Sequence, residues 1–281
     1  MTFTGDVLAW GVPRLRDLPW RATRDPWAVL VSEVMLQQTQ VGRVIPRWES
    51  FLARFPTAPA CAAAPLGDVL REWQGLGYPR RARNLHATAQ RVTELGAFPQ
   101  GLAELLELPG IGPYTARAVL AFAFEHDAAV VDTNIARVYA RVEGERLTPS
   151  RVQRLADDAL PLGDAWTWNQ CLMDLGAVLC RPRDPGCDDC PVRSRCAWAG
   201  DASTPDPAIG SSGVSGRQAR FDGSDRQARG LLMRALTAGP VARTDVPSVM
   251  GRDAIVAERL VADLLAERLC EQVDSTLRLP S

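Results

Sequence analysis

From residue 3 to residue 198 apolar side chains recur at three- and four-residue steps with few breaks, a period that belongs to helices packed on one another. The segments "VLVSEVMLQQTQVGRVIPRWESFLARF", "LGDVLREWQGLG", "RARNLHATAQRVTEL", "GLAELLEL", "YTARAVLAFAF", "TNIARVYARV" and "WNQCLMDLGAVLC" each carry it, and Gly and Pro separate them. No run in this part sustains the alternation of a strand. The expected fold is therefore all-α over residues 1–198. Residues 199–224, rich in Gly, Ser, Pro and Asp, read as a linker. Beyond it "DRQARGLLMRALTAG" and "RDAIVAERLVADLLAERL" read as amphipathic helices, with a short third in "TDVPSVM". The closing "CEQVDSTLRLP" alternates like a hairpin, so residues 225–281 are expected to form a small winged-helix-like unit.

At 281 residues the chain is long enough to bury one large core or two modest ones. No stretch reaches the apolar length of a membrane span, and the first twenty residues lack the pattern of a signal peptide, so the expected location is cytoplasmic. A net charge of −1 does not exclude a nucleic-acid partner, because local patches set the field that a phosphate meets. All 32 basic residues are Arg. With no Lys, no lysine Schiff base can form on this chain.

Seven cysteines are unevenly placed. Cys61, Cys171 and Cys270 sit in apolar helical patterns, where a thiol behaves as a small hydrophobe. The other four, Cys180, Cys187, Cys190 and Cys196, fall inside "CRPRDPGCDDCPVRSRC" with the spacing Cx6Cx2Cx5C. In a chain without secretory features these read as metal ligands rather than disulfides. Spacing alone leaves zinc and iron–sulfur open, since both take four thiolates. Arg181, Arg183, Arg193 and Arg195 flank them and would present charge to a nucleic-acid backbone.

Three further motifs carry chemistry. "ELLELPGIGPYTARAVLAFAF" reads as helix, glycine turn and second helix; Gly110 and Gly112 are expected to allow positive φ and close backbone approach to an anion at the second helix's N-terminus. "VVDTNIARV" places Asp132 just before a helix, where an N-cap is the plain alternative. "WAVLVSEVMLQQTQ" sets Glu33 among Val31, Val34, Met35 and Leu36, surroundings that raise a carboxyl's pKa and suit a general acid.

In order, "SEVMLQQTQ", "WQGLGYPRRARNL", "LPGIGPYT", "VDTN" and the cysteine spacing resemble the helix-hairpin-helix DNA glycosylases, endonuclease III-like, and among them the MutY-type adenine DNA glycosylases. The resemblance covers about residues 3–198 and implies a monofunctional enzyme that removes adenine mispaired with 8-oxoguanine or guanine in double-stranded DNA. It implies Glu33 as the acid that protonates the base, Asp132 as the carboxylate supporting the cationic sugar, and Tyr114 where lyase relatives carry Lys. It further implies a [4Fe-4S] cluster on Cys180, Cys187, Cys190 and Cys196. Arg21 and Gln170 resemble residues that read the flipped adenine; Gln37, Gln38 and Thr39 resemble the segment that probes the opposite base; Tyr78 resembles an aromatic wedge, with Gly110 and Gly112 on the DNA backbone. Trp20 and Trp27 are expected in the core, and His86 and His126 on polar helix sides without a role. A monomer is the family expectation.

Two departures stand out. Pro79 follows Tyr78 where the family commonly has a second aromatic. Residues 225–281 are too short and too helical for the family's usual β-rich C-terminal domain and hold no His, so its Phe-Ser-His loop for 8-oxoguanine is missing. The short tail is similar to that of actinobacterial members, and Arg226, Arg229 and Arg234 are its candidate phosphate contacts. Two other readings compete: a thymine or uracil mismatch glycosylase of the same fold, and a non-catalytic DNA-binding iron–sulfur protein.

Overall fold

The structure is a computed structural model and describes residues 2–211 and 220–281. From the N-terminus its helices are α1 (Phe3–Gly11), α2 (Pro26–Leu36), α3 (Val41–Arg54), α4 (Ala58–Ala62), α5 (Leu66–Glu72), α6 (Arg80–Leu95), α7 (Leu102–Leu106) and α8 (Pro113–Phe122). They continue as α9 (Thr133–Glu143), α10 (Pro149–Ala159), α11 (Ala165–Val178), α12 (Asp225–Ala238), α13 (Val246–Met250) and α14 (Ala254–Ala266). Strands β1 (Val241–Ala242), β2 (Glu271–Val273) and β3 (Thr276–Arg278) occur only near the C-terminus among the described residues. Helix starts are fixed by side chains that satisfy early backbone N–H groups: Thr2, Thr57, Asp132, Thr148, Ser224 and Asp253 each accept one. No helix among the described residues is long and apolar enough to cross a membrane.

The chain clusters into two compact units, residues 2–29, 100–106 and 111–211 in one, and 30–99, 107–110 and 220–281 in the other. In the first, α1, α9 and α11 bury Val7, Ile135, Val138, Tyr139, Trp168, Leu172 and Leu175. Phe3 meets the Trp168 ring edge-on at 5.8 Å. Val192 of the cysteine loop and Ala208 beyond it join this core. Within the stretch expected as a linker, Asp206 pairs with Arg141 at 2.7 Å and Ser211 Oγ accepts from the Leu147 N–H at 3.1 Å. Composition cannot reveal such bonds, because the polar residues that make them also typify linkers. Residues 212–219 of that expected linker lie outside the described residues.

In the second unit α4 packs along α6, and Phe51 contacts Phe55 and Trp73 edge-on at 5.0 and 6.2 Å. The last sixty residues follow the winged-helix order α12–β1–α13–α14–β2–β3. Their antiparallel sheet runs β1–β3–β2, with Leu277 opposite both Val241 and Gln272. Leu232, Leu236, Leu264 and Leu277 form its buried centre. The two-residue β1 was not readable because it is too short to alternate. His86 departs from expectation: it is 8% exposed and its Nε2 lies 2.9 Å from the Ala64 carbonyl. His126 stands in the turn after α8, not on a helix.

Candidate active site

Helix α2 is buried around its centre, where Ser32 and Glu33 are its two polar side chains. Val31, Val34 and Met35 are buried, and Glu33 between them is 4% exposed, so it is not the solvated residue of an amphipathic surface. Just past α2, Gln38 is exposed and adopts φ 56°, a conformation that non-glycine residues take reluctantly. Tyr78 repeats the feature at φ 49° and is 37% exposed. Strain of this kind, kept at two exposed positions, marks sites that a packed framework holds in place.

The framework is one arginine that sequence reasoning missed. Arg81 Nη1 donates toward the carbonyls of Val34 (2.7 Å), Met35 (3.0 Å) and Gln37 (2.7 Å). Its Nη2 donates to Leu76 O (2.9 Å), Gly77 O (3.1 Å) and Thr39 Oγ1 (3.2 Å). The guanidinium thus caps the C-terminus of α2, where unpaired carbonyls collect, and the turn before Tyr78 at once. It lies 5.3 Å from the Trp73 ring and 5.6 Å from that of Tyr78. Burial lowers its pKa to about 10, which leaves it charged at neutral pH.

In the hairpin turn Gly110 has φ 76°, and a Cβ there would stand 2.5 Å from Asn84 Nδ2. Only glycine fits. Gly112 differs from expectation: at φ −96° and ψ 176° it is extended backbone, and open space surrounds the position of a Cβ. It serves as the N-cap of α8, whose first turn holds the half-buried Tyr114. Thr88 Oγ1 donates to Pro109 O at 2.8 Å and ties the turn to α6.

Asp132 caps α9, accepting from Ile135 N at 2.7 Å and Asn134 Nδ2 at 2.8 Å. Burial pushes its carboxyl above the usual carboxylate range, opposed by those donors and by the Arg137 charge. The apolar run before it is held by Asn169, whose side chain accepts from Val130 N (3.0 Å) and donates to Ala128 O (2.9 Å) and Ala165 O (2.7 Å). Neighbouring Gln170 is 5% exposed and so lies inside the fold rather than on the helix surface. Arg21 is buried and forked onto Asp174, with both terminal nitrogens at 2.8 Å, while Arg16 meets the same carboxylate at 2.6 Å. Burial would raise the Asp174 pKa, but Arg21 and Arg16 outweigh it and hold it low. Trp20 and Trp27 are buried, as expected.

Cys180, Cys187, Cys190 and Cys196 line one cavity with Leu175, Leu179 and Arg141. Arg141 Nη1 donates to Cys180 Sγ at 3.3 Å, and Ala199 N to Cys196 Sγ at 3.2 Å. Burial raises the Cys180 thiol, and Arg141 and Arg137 oppose it. A Cβ on Gly200 would come within 2.9 Å of Cys187 Sγ, so backbone wraps closely around the sulfurs. Among the described residues no three His, Cys, Asp or Glu side chains are gathered as a single-ion site. Three of the four flanking arginines have partners inside the protein: Arg181 bonds Asp184 O, Arg193 pairs with Asp188 and Arg195 with Asp6.

Two helices joined by a turn in which only glycine fits are the hairpin of helix-hairpin-helix proteins. Residues 31–161 match the family described as HhH-GPD superfamily base excision DNA repair protein. The chain is 42% identical over 276 residues to the adenine DNA glycosylase of Mycolicibacterium smegmatis, covering 95% of this chain and 92% of that one. It is 40% identical to the adenine DNA glycosylase of Mycobacterium tuberculosis, covering 98% and 92%. A solved thermostable thymine-DNA glycosylase superposes with a TM-score of 0.65 at 30% identity, over 70% of this chain and 95% of that one. The chain belongs to the adenine DNA glycosylase family.

Proposed function

We propose that the protein is a monofunctional adenine DNA glycosylase that removes adenine mispaired with 8-oxoguanine or guanine from double-stranded DNA, acting as a cytoplasmic, nucleoid-associated monomer. The observation that carries the reading is Glu33, a carboxyl withdrawn from water on an apolar helix. Adenine leaves only when protonated, and a carboxyl in that place is the group to supply the proton. In the reaction the bond from sugar C1′ to the adenine nitrogen breaks, its electron pair stays with the base, and Glu33 supplies a proton to the base's imidazole ring. Asp132 supports the positive charge that develops on the sugar, as paired carboxyl groups do in glycoside hydrolysis. Water adds at C1′ and the lost proton returns to the acid, leaving an abasic site. Tyr114 hydrogen-bonds at the reaction centre, and the missing Lys excludes a lysine-based strand cleavage.

Arg21 and Gln170 read the extruded adenine, Arg21 from a position set by Asp174. Gln37, Gln38 and Thr39 probe the base opposite the adenine, Tyr78 wedges into the duplex, and the amides after Gly110 and Gly112 meet a phosphate of the DNA backbone. Four thiols around one cavity, with N–H donors on the sulfurs and two arginines beside them, suit a [4Fe-4S] cluster. When bound, that group would cross-link the loop and fix its shape. The likeness to a thymine-DNA glycosylase keeps a second base in play, though at lower identity and coverage than the adenine enzymes. Single-turnover excision from duplexes carrying adenine, thymine or uracil opposite guanine decides: adenine released alone supports the proposal, and thymine or uracil released faster overturns it.

A further inference from the structure

We infer that the chain's last sixty residues add a second backbone-phosphate contact beside the hairpin turn, made by Arg268 across a groove that it shares with Arg83, Asn84 and Pro109; this rests on the reading of that turn as a DNA contact.

The first support is the groove and its charge. An open cavity of about 510 Å³ is bounded by the first half of α6, the turn residue Pro109 and the end of α14. Arg83, Asn84, His86, Gln90 and Arg268 face it, and no Asp or Glu among the described residues lines it. The acid next in sequence, Glu267, is paired with Arg80 and Arg229. Two guanidinium groups in a groove without a carboxylate set a positive field, which favours a phosphate. The groove is held in place because the tail is tied down beside it. Gly67 N donates to Pro280 O at 2.9 Å, and a Cβ on Gly67 would stand 2.5 Å from that oxygen, so the tail's end lies directly on α5.

The second support is how the donors are held. Arg83 Nη1 donates to Glu267 O at 2.7 Å, and its Nε and Nη2 donate to Asn84 Oδ1 at 3.3 and 2.9 Å. An arginine only donates, so the Asn84 oxygen faces it and the Nδ2 hydrogens face away. Nδ2 lies against the turn, 2.5 Å from where a Gly110 Cβ would stand, and has no acceptor among the described residues. Arg268 stands at φ 54° in the turn that ends α14, where its N–H donates to Leu265 O and that of Leu269 to Leu264 O, both at 2.9 Å. Glycine is the residue that such a helix end favours. Here the position carries an exposed guanidinium with no partner among the described residues. Its donors and those of Asn84 Nδ2 are open to an anion, and a strand whose backbone meets the turn at Gly110 brings one. Of the arginines expected as phosphate contacts, Arg229 is committed to Glu267, and Arg234, exposed on α12, does not line the groove.

The test uses the full chain and a fluorescent duplex with a stable abasic-site analogue opposite guanine, so that no excision is needed. Dissociation constants at about 50 and about 200 mM salt, the range where phosphate contacts report, are compared for wild type, Arg268→Gly, Arg268→Lys and Arg234→Gln, with melting temperatures alongside. Arg268→Gly is expected to bind about fivefold more weakly at low salt, with the slope of log affinity on log salt reduced by about one. Its melting temperature should stay level or rise, because glycine suits the turn. Arg268→Lys should keep most of the slope, and Arg234→Gln should keep both affinity and slope. Wild-type affinity and slope in Arg268→Gly would overturn the inference, as would lost affinity with an unchanged slope, which would leave Arg268 as a prop for the turn only. An equal change in Arg234→Gln would overturn it too, by tracing the effect to the tail's overall charge. Wild type that fails to bind the duplex would sink the reading of the turn as a DNA contact as well, whereas wild type that binds as expected yet releases no adenine would sink the proposed activity and leave this groove standing.

Discussion

Replacing Arg81 with Met keeps much of the side-chain volume and removes every donor from the group that serves both strained turns. Six acceptors lie at 2.7–3.2 Å from its two terminal nitrogens, but those nitrogens carry four hydrogens, so about four full bonds are the relevant number. At about 1 kcal/mol net for each, the loss is about 4 kcal/mol; water reaching the more open Gly77 carbonyl reduces it to about 3. The turns at Gln38 and Tyr78 would then relax, since positive φ at each costs about 1 kcal/mol or more and the Arg81 bonds to both turns are gone. The assay pairs denaturant unfolding with single-turnover excision at a temperature where the variant stays folded. The expected result is a stability loss near 3–4 kcal/mol by the same count and excision slowed by at least about tenfold. Arg81→Lys should recover little, because an ammonium cannot span both turns. A variant within about 0.5 kcal/mol of wild type, the range of an ordinary surface change, with normal excision would refute the reasoning.

Asp132 gives a pH prediction with a definite sign. Its folded pKa is raised and the proposed mechanism uses its ionised form, so excision should fall as pH drops through a value above the usual carboxylate range, which is about 4. Because the ionised form is disfavoured in the folded protein, Asp132→Asn should be inactive yet more stable than wild type at neutral pH, the difference vanishing in acid; a destabilised Asn variant would contradict this. Gly67→Ala should cost about 1–3 kcal/mol by overpacking against Pro280 and should speed proteolytic release of the tail, whereas unchanged stability would dispute the docking. Cys187→Ser should lower the iron content and visible absorbance of purified protein and its melting temperature together; full iron retention would remove Cys187 from the ligand set.

The helices were legible because each buries one face, and burial of one face is what a three-to-four period records. The placement of the candidate residues was legible where it is local: Glu33 buried among apolar neighbours, Asp132 ahead of its helix, four clustered cysteines around one cavity. What stayed hidden is pairing across long separations. Arg81 with Val34, Asn169 with Val130, Asp206 with Arg141 and Glu267 with Arg80 are joined by folding alone, and no periodicity or spacing encodes them. Gly112 shows the converse limit, since a glycine in a motif need not adopt the positive φ that glycine permits.

The most direct measurement is single-turnover reaction of iron-replete wild type and Glu33→Gln on a duplex with one adenine opposite 8-oxoguanine, scored with and without alkali. The account predicts adenine release by wild type, strand breakage only after alkali, and no release by Glu33→Gln. Release by Glu33→Gln at the wild-type rate, or no release by wild type, would contradict it.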